Sequence, residues 1–155
     1  MSASPKLGAT MSVSTKIVDS WAMLAWLQDE PGAAAVDAFF QEADAGRLQL
    51  LMSWINVGET FSILAWRKGL HVAEEFLKRL PSLPIRLVLP DQDAILEMAR
   101  LKSSGRPALG YTDAFAASLA LHEHATIITG DPDIAALRDL VTVDWVGRPL
   151  APNNA

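Results

Sequence analysis

Two rhythms of apolar residues alternate along this chain. Short, largely apolar runs stand at Lys16 to Asp19, Leu48 to Ser53, Ile85 to Leu89, Thr126 to Thr129 and Val141 to Val146. Between them apolar residues recur at three- and four-residue spacing, the period of a helix with one buried face. That spacing predicts helices over Ser20 to Gln28, Ala33 to Ala45, Trp54 to Lys68, His71 to Leu80, Asp91 to Lys102, Thr112 to His122 and Ile134 to Asp139. Pro31-Gly32, Gly46, Gly69 and Pro81 punctuate their ends.

Short strands apolar on both faces, alternating with helices, imply an α/β fold: a central, mostly parallel sheet covered by helices on both faces, in three layers. Right-handed crossovers bring the strand-to-helix junctions to one edge, where open α/β sheets bind their ligands. The domain is expected over 16–148, after a flexible lead-in 1–15 in which Met11 rivals Met1 as the start, and before a frayed tail 149–155. No run has the length of a membrane span or the apolar core of a secretory signal, so no membrane association is expected.

Composition narrows this picture. A chain of 155 residues, half of them hydrophobic and 20% charged, suits one globular core. The absence of cysteine excludes a disulfide framework, a thiolate metal site and a cysteine nucleophile, and it suits a reducing cytoplasm. A formal net charge of -5 argues against a protein that coats nucleic acid, whose affinity comes from neutralising phosphates. It argues less against a nuclease, which needs acids only at its centre.

Four acids stand out by position. Asp19 closes the first apolar run and Asp131 follows Thr129-Gly130 at the end of the fourth, while Glu59 and Asp113 fall in the opening turns of two apolar helices. Each also has a local structural reading. Asp131 before Pro132 is a good helix cap, with Asp133 favouring the same helix start. Asp113 follows Thr112, a candidate cap; Glu59 stands three residues after Asn56, as in a capping box; and Ser20 could cap the helix after Asp19. Brought to one edge, four carboxylates repel, and a divalent cation is what makes such a cluster tolerable. Oxygen donors without histidine or cysteine select a hard ion, Mg²⁺ or Mn²⁺.

Four strings carry these acids: Ile17-Val18-Asp19-Ser20, Ser53-Trp54-Ile55-Asn56-Val57-Gly58-Glu59, Tyr111-Thr112-Asp113-Ala114-Phe115-Ala116-Ala117 and Thr129-Gly130-Asp131-Pro132-Asp133. In order and spacing they resemble the PIN domain, most nearly the VapC-type toxins of bacterial toxin–antitoxin pairs, over Lys16 to Val146. The resemblance implies a metal-dependent endoribonuclease with Asp19, Glu59, Asp113 and Asp131 around Mg²⁺ or Mn²⁺. Thr129 would be the hydroxyl residue just ahead of the last acid. Asp133 would be an extra ligand or, with Asn56 and Thr129, support around the quartet. Thr112 and Gly110 depart from the family's usual alanine and serine without removing a ligand. RNA as substrate, a cognate antitoxin that covers the site and a homodimer are further implications. The helices around Trp21 to Leu27 and Phe61 to Trp66 are candidate partner surfaces, or plain core.

Arg67, Lys68, Lys102 and Arg106 are candidates for RNA phosphate contacts, and equally for solvated surface. A PIN-like domain that binds RNA or a protein scaffold without catalysis is the alternative, weakened by the presence of all four mutually repelling acids. A phosphoacceptor module fits poorly, because Asp19 has no acidic neighbour, and no phosphate-binding glycine loop occurs.

Overall fold

The computed structural model describes residues 12–106 and 108–150; Met11, the rest of the expected lead-in before residue 12 and the tail beyond residue 150 lie outside them. Among the described residues five strands form one sheet, β1 (Ser14–Val18), β2 (Leu48–Ser53), β3 (Arg86–Val88), β4 (Thr126–Thr129) and β5 (Val143–Trp145). The helices are α1 (Ser20–Leu27), α2 (Ala33–Asp44), α3 (Trp54–Lys68), α4 (Leu70–Arg79), α5 (Gln92–Ser103), α6 (Tyr111–Glu123) and the single turn α7 (Pro132–Ala135). All four strand pairings are parallel, in the order β3-β2-β1-β4-β5. The expected three-layer α/β architecture is therefore the one formed, with a wholly parallel sheet.

Period-two alternation decides which face each strand residue serves. Val18, Leu50, Met52 and Ile128 join the core under α1, α2, α3 and α4, with Met23, Val36, Phe40, Leu64 and Phe76. Their neighbours Ile17, Leu51 and Ile127 point the other way, into a second core with Met98, Phe115, Ala117, Ile134 and Leu137 from the α5, α6 and α7 side. Both faces of β1, β2 and β4 are buried, which is why these strands read as continuous apolar runs.

The boundaries differ from expectation where pairing or capping extends beyond composition. β1 begins at Ser14, inside the expected lead-in, because Ser14 and Thr15 pair with Leu48 and Gln49 of β2. α7 starts earlier than the predicted Ile134, since the Asp131 side chain caps it and Pro132 suits its first position. Val141 lies before β5, as a buried core residue rather than the start of a strand.

Strand order reverses at β1: the chain leaves it for β2 on one side and later returns to β4 on the other. In open α/β sheets the carboxyl ends of strands at such a reversal form a crevice. Trp21 of α1 closes one flank by packing onto glycine. A Cβ on Gly130 would stand 2.4 Å from Trp21 Cη2 and 2.5 Å from Cζ2 and Cζ3, and one on Gly32 would stand 3.2 Å from the same ring and 2.5 Å from the Val146 carbonyl. Gly32 also has φ +102°, which L side chains rarely adopt. Gly130→Ala is expected to destabilise the fold by about 1–3 kcal/mol through overpacking against a ring that cannot retreat. Urea unfolding checks this, and a midpoint equal to that of the native chain would refute the packing account.

Candidate active site

β1 and β4 are in register with Val18 opposite Ile128, so Asp19 and Thr129 leave the sheet side by side. The Thr129 hydroxyl, fully buried, donates to Asp19 Oδ2 and accepts from the Asp131 backbone N–H at 3.0 Å. Asp19 Oδ1 accepts from the Ala22 N–H at 2.8 Å, which makes Asp19, not Ser20, the cap of α1. The Ser20 hydroxyl turns inward instead and donates to the Asn56 carbonyl at 3.2 Å.

α3 follows β2 without a break. Ser53, the last residue of β2, caps it by accepting from the Ile55 N–H at 3.2 Å. Asn56 is thus inside the helix and not its cap, and Glu59 stands in the second turn rather than the first. Asn56 is buried, and its amide nitrogen donates to Ser20 Oγ at 3.0 Å and reaches the Thr112 carbonyl at 3.5 Å. Asn56 therefore links the starts of α1, α3 and α6, and its own Oδ1 is buried with no donor among the described residues.

α6 begins at Tyr111 with Gly110 as its cap residue, so Thr112 lies within the helix and Asp113 in its first turn. Asp131 caps α7 by accepting from the Asp133 N–H at 2.9 Å. These two helix starts bring Asp113, Asp131 and Asp133 together, one carboxylate oxygen of each lying within 4.8 Å of the others. The donor set is three carboxylates, which fits a hard divalent cation. Asp133 stands inside this group. Asp19 and Glu59 couple to it electrostatically: Asp131 and Asp113 act on Asp19, and Glu59 acts on both Asp113 and Asp131.

The protonation equilibria record the crowding. Burial pushes Asp19 up to about 7, against the Thr129 and Ala22 hydrogen bonds that favour its charged form, with the Asp131 and Asp113 charges adding to the rise. Asp113 is likewise raised to about 7, first by burial and then by the charges of Asp131, Glu59 and Asp133. Asp131 is raised by burial as well, partly offset by the Asp133 N–H.

None of the four candidate cations forms an ion pair with these acids among the described residues. Arg67 pairs with Glu30 at 3.8 Å, and Lys68 ends α3, nine positions beyond Glu59, roughly 13 Å along the axis. Lys102 donates to the Leu109 carbonyl and lies 4.9 Å from the Tyr111 ring centroid, which braces the loop before α6. Arg106 pairs with Asp139. The candidate partner helices are also mostly core. Trp26 makes an edge-to-face contact with Phe40 at 4.7 Å, and Leu24 and Leu64 are buried, whereas Trp66 is 85% exposed. No helix among the described residues is long and apolar enough to cross a membrane.

No curated protein sequence matches the chain. Solved structures resemble its fold. VapBC2 from Rickettsia felis, bound to a DNA fragment from its promoter, superposes with TM-score 0.67 at 14% identity over 84% of this chain and 98% of that one. VapC20 from Mycobacterium tuberculosis, described as a Sarcin-Ricin loop cleaving toxin, gives 0.66 at 16% identity over 78% and 93%. PAE2754 from Pyrobaculum aerophilum gives 0.59 at 20% identity over 86% and 92%. A family model described as PIN domain matches residues 16–140, a span that contains all five acids of the site. With that match added to the shared fold, the chain belongs to the PIN-domain family.

Proposed function

We propose that this protein is a metal-dependent endoribonuclease and the VapC-type toxin of a toxin–antitoxin pair. The observation that carries the reading is the group of Asp113, Asp131 and Asp133 at the carboxyl edge of a parallel sheet, bordered by Asp19 and Glu59. Asp113, Asp131 and Asp133 would hold Mg²⁺ or Mn²⁺, with Asp19 and Glu59 completing the negative wall behind it. A bound divalent ion supplies a lowered pKa for water and a counter-charge for the phosphodiester. Thr129 fixes Asp19 Oδ2 and the Asp131 backbone at once, and Asn56 holds the start of α6 against α1 and α3, so neither acid-bearing helix can drift from the others.

The similar structures from Rickettsia felis and Mycobacterium tuberculosis support a toxin role, one being VapBC2 and the other described as a Sarcin-Ricin loop cleaving toxin. RNA is then the substrate, an antitoxin the inhibitor and a second copy of the chain the partner in a homodimer. The exposed apolar side chains Trp66, Leu70 and Val72, around the α3–α4 turn, support a partner surface there.

Cleavage of a mixed cellular RNA pool by the purified chain tests the reading, with Mg²⁺ or Mn²⁺ against EDTA. Metal-dependent fragments are expected. Asp113→Asn, Asp131→Asn and Asp133→Asn should each lower the rate by about 100-fold or more, and Asp19→Asn and Glu59→Gln by about 10-fold or more, with unchanged circular dichroism. Normal cutting by all five variants would sink the assignment.

A second test uses the raised carboxyls. Asp19 and Asp113 titrate near 7 in the folded chain against 3.8 for the ordinary group, so the folded state binds more protons between those values. Stability without metal should therefore be greatest below about pH 4 for these two groups and fall as pH rises through about 7. Mg²⁺ or Mn²⁺ binds the ionised carboxylates, so it should raise the melting temperature more at about pH 8 than at about pH 5. Thermal melts across that range, with EDTA and with metal, decide it; a metal effect larger at the lower pH would contradict the site.

A further inference from the structure

A cleft of about 570 Å³ opens where the chain leaves β4, lined among others by Trp21, Glu30, Gly130, Pro132, Trp145 and Arg148. Gly130 and Pro132 are the two covalent neighbours of Asp131, so the cleft starts one residue from the carboxylate cluster. Its size falls within the range of small-ligand sites.

Its two aromatic walls are held in place before anything binds. Trp21 lies against Gly130 and Gly32, where added side chains would collide with its ring. Trp145 Nε1 donates to the Arg148 carbonyl at 2.8 Å, and a Cβ on Gly147 would stand 2.9 Å from Trp145 Cζ2 and 3.0 Å from Gly130 Cα. The Val146 N–H donates to the Thr129 carbonyl at 2.9 Å, which ties this segment to the strand that leads into Asp131. Arg138 lies 5.9 Å from the Trp145 ring centroid. Arg148 is exposed, and it has no carboxylate partner among the described residues, unlike Arg67 and Arg106.

We propose that this cleft receives an unpaired nucleobase of the RNA, next to the phosphate at the acidic cluster, with Trp145 and Trp21 as stacking surfaces and Arg148 on the adjoining backbone. The assignment rests on the ribonuclease reading for the identity of the strand. Every base offers a flat π-face, and single-stranded RNA is recognised by splaying its bases onto aromatic and guanidinium planes. Rings already fixed by packing lose little freedom when a base arrives. An aromatic pair and a cation adjoining a phosphodiester site match a nucleotide better than they match a peptide or a lipid chain.

The test is binding of a short fluorescein-labelled single-stranded RNA of mixed sequence to the full chain, read by anisotropy in EDTA and again with Mg²⁺. Because EDTA suppresses metal-dependent cutting, a chain that binds but never cleaves still reports on the cleft while the nuclease reading falls. Trp145→Ala should weaken binding by about 10-fold and Trp145→Phe by less than about 3-fold, the loss of one stacked base. The same RNA as a duplex, its bases already stacked, should bind both variants equally. Arg148→Ala, at an exposed site that tolerates truncation, should weaken binding by about 3-fold and make it less salt-dependent. Affinity unchanged in Trp145→Ala, an equal loss for duplex and single strand, or no RNA binding by the native chain in either buffer would overturn the proposal. The first of these would leave the cleft to a protein partner.

Discussion

Like charges crowded at one point are the constraint around which this molecule is organised. One carboxylate oxygen each of Asp113, Asp131 and Asp133 comes within 4.8 Å of the others, the charge of Glu59 reaches Asp113 and Asp131, and Asp19 feels the charges of Asp131 and Asp113. Without a cation the mutual repulsion of these carboxylates opposes folding. The fold resists the repulsion in two ways. Asp19 and Asp131 are helix caps whose carboxylates accept the Ala22 and Asp133 backbone N–H groups, and Asp113 is in the first turn of α6, where the helix dipole favours negative charge. Thr129 then locks the two strands that carry acids, with its hydroxyl shared between Asp19 and the Asp131 backbone.

That lock depends on register, and register depends on the core. Val18 opposite Ile128 places Asp19 beside Thr129; sliding β4 by one residue would turn Ile127 and Ile128 toward the wrong faces, each of which has its own buried partners. The packing of apolar side chains on two faces thus aligns a polar contact at the sheet edge to within hydrogen-bonding distance. The same economy explains Gly130: the chain must pass close enough to Trp21 for no Cβ to fit, or Asp131 would be carried away from its neighbours.

Much of this was legible in the chain. Alternating strand and helix periods led to the three-layer α/β architecture, and the strand-end positions of Asp19 and Asp131 pointed to one edge, because these signals are local and repeated. The capping details were less accessible. Asn56 and Thr112 look like caps by composition, but Ser53 and Gly110 occupy those positions because α3 and α6 start as soon as the preceding segment ends. Asp133 gave the weakest signal of the acids, since an aspartate after Asp-Pro is an ordinary helix-start residue. Only the single turn of α7 folds it back toward Asp113. The roles of Lys102 and Arg106 were hidden because their partners, the Leu109 carbonyl and Asp139, lie in other segments. Trp145 and Arg148 carried no motif at all; their significance comes from β5 lying beside β4.

The charge balance says how such a chain would hold RNA. A net charge of -5 gives no long-range attraction for phosphates, and three of the four cations first suspected of phosphate contact are occupied with Glu30, Asp139 and a backbone carbonyl. On the proposed reading affinity would then come from short-range terms at the site. A cation among the carboxylates reverses the local sign where the phosphate would lie, and the tryptophans beside Asp131 offer contact that needs no net charge. On the proposed reading such a site would discriminate against helical RNA, because a stacked base cannot enter the cleft without first being unstacked. Loops and single strands would then be favoured through the cost of exposing a base, without any demand for a basic surface.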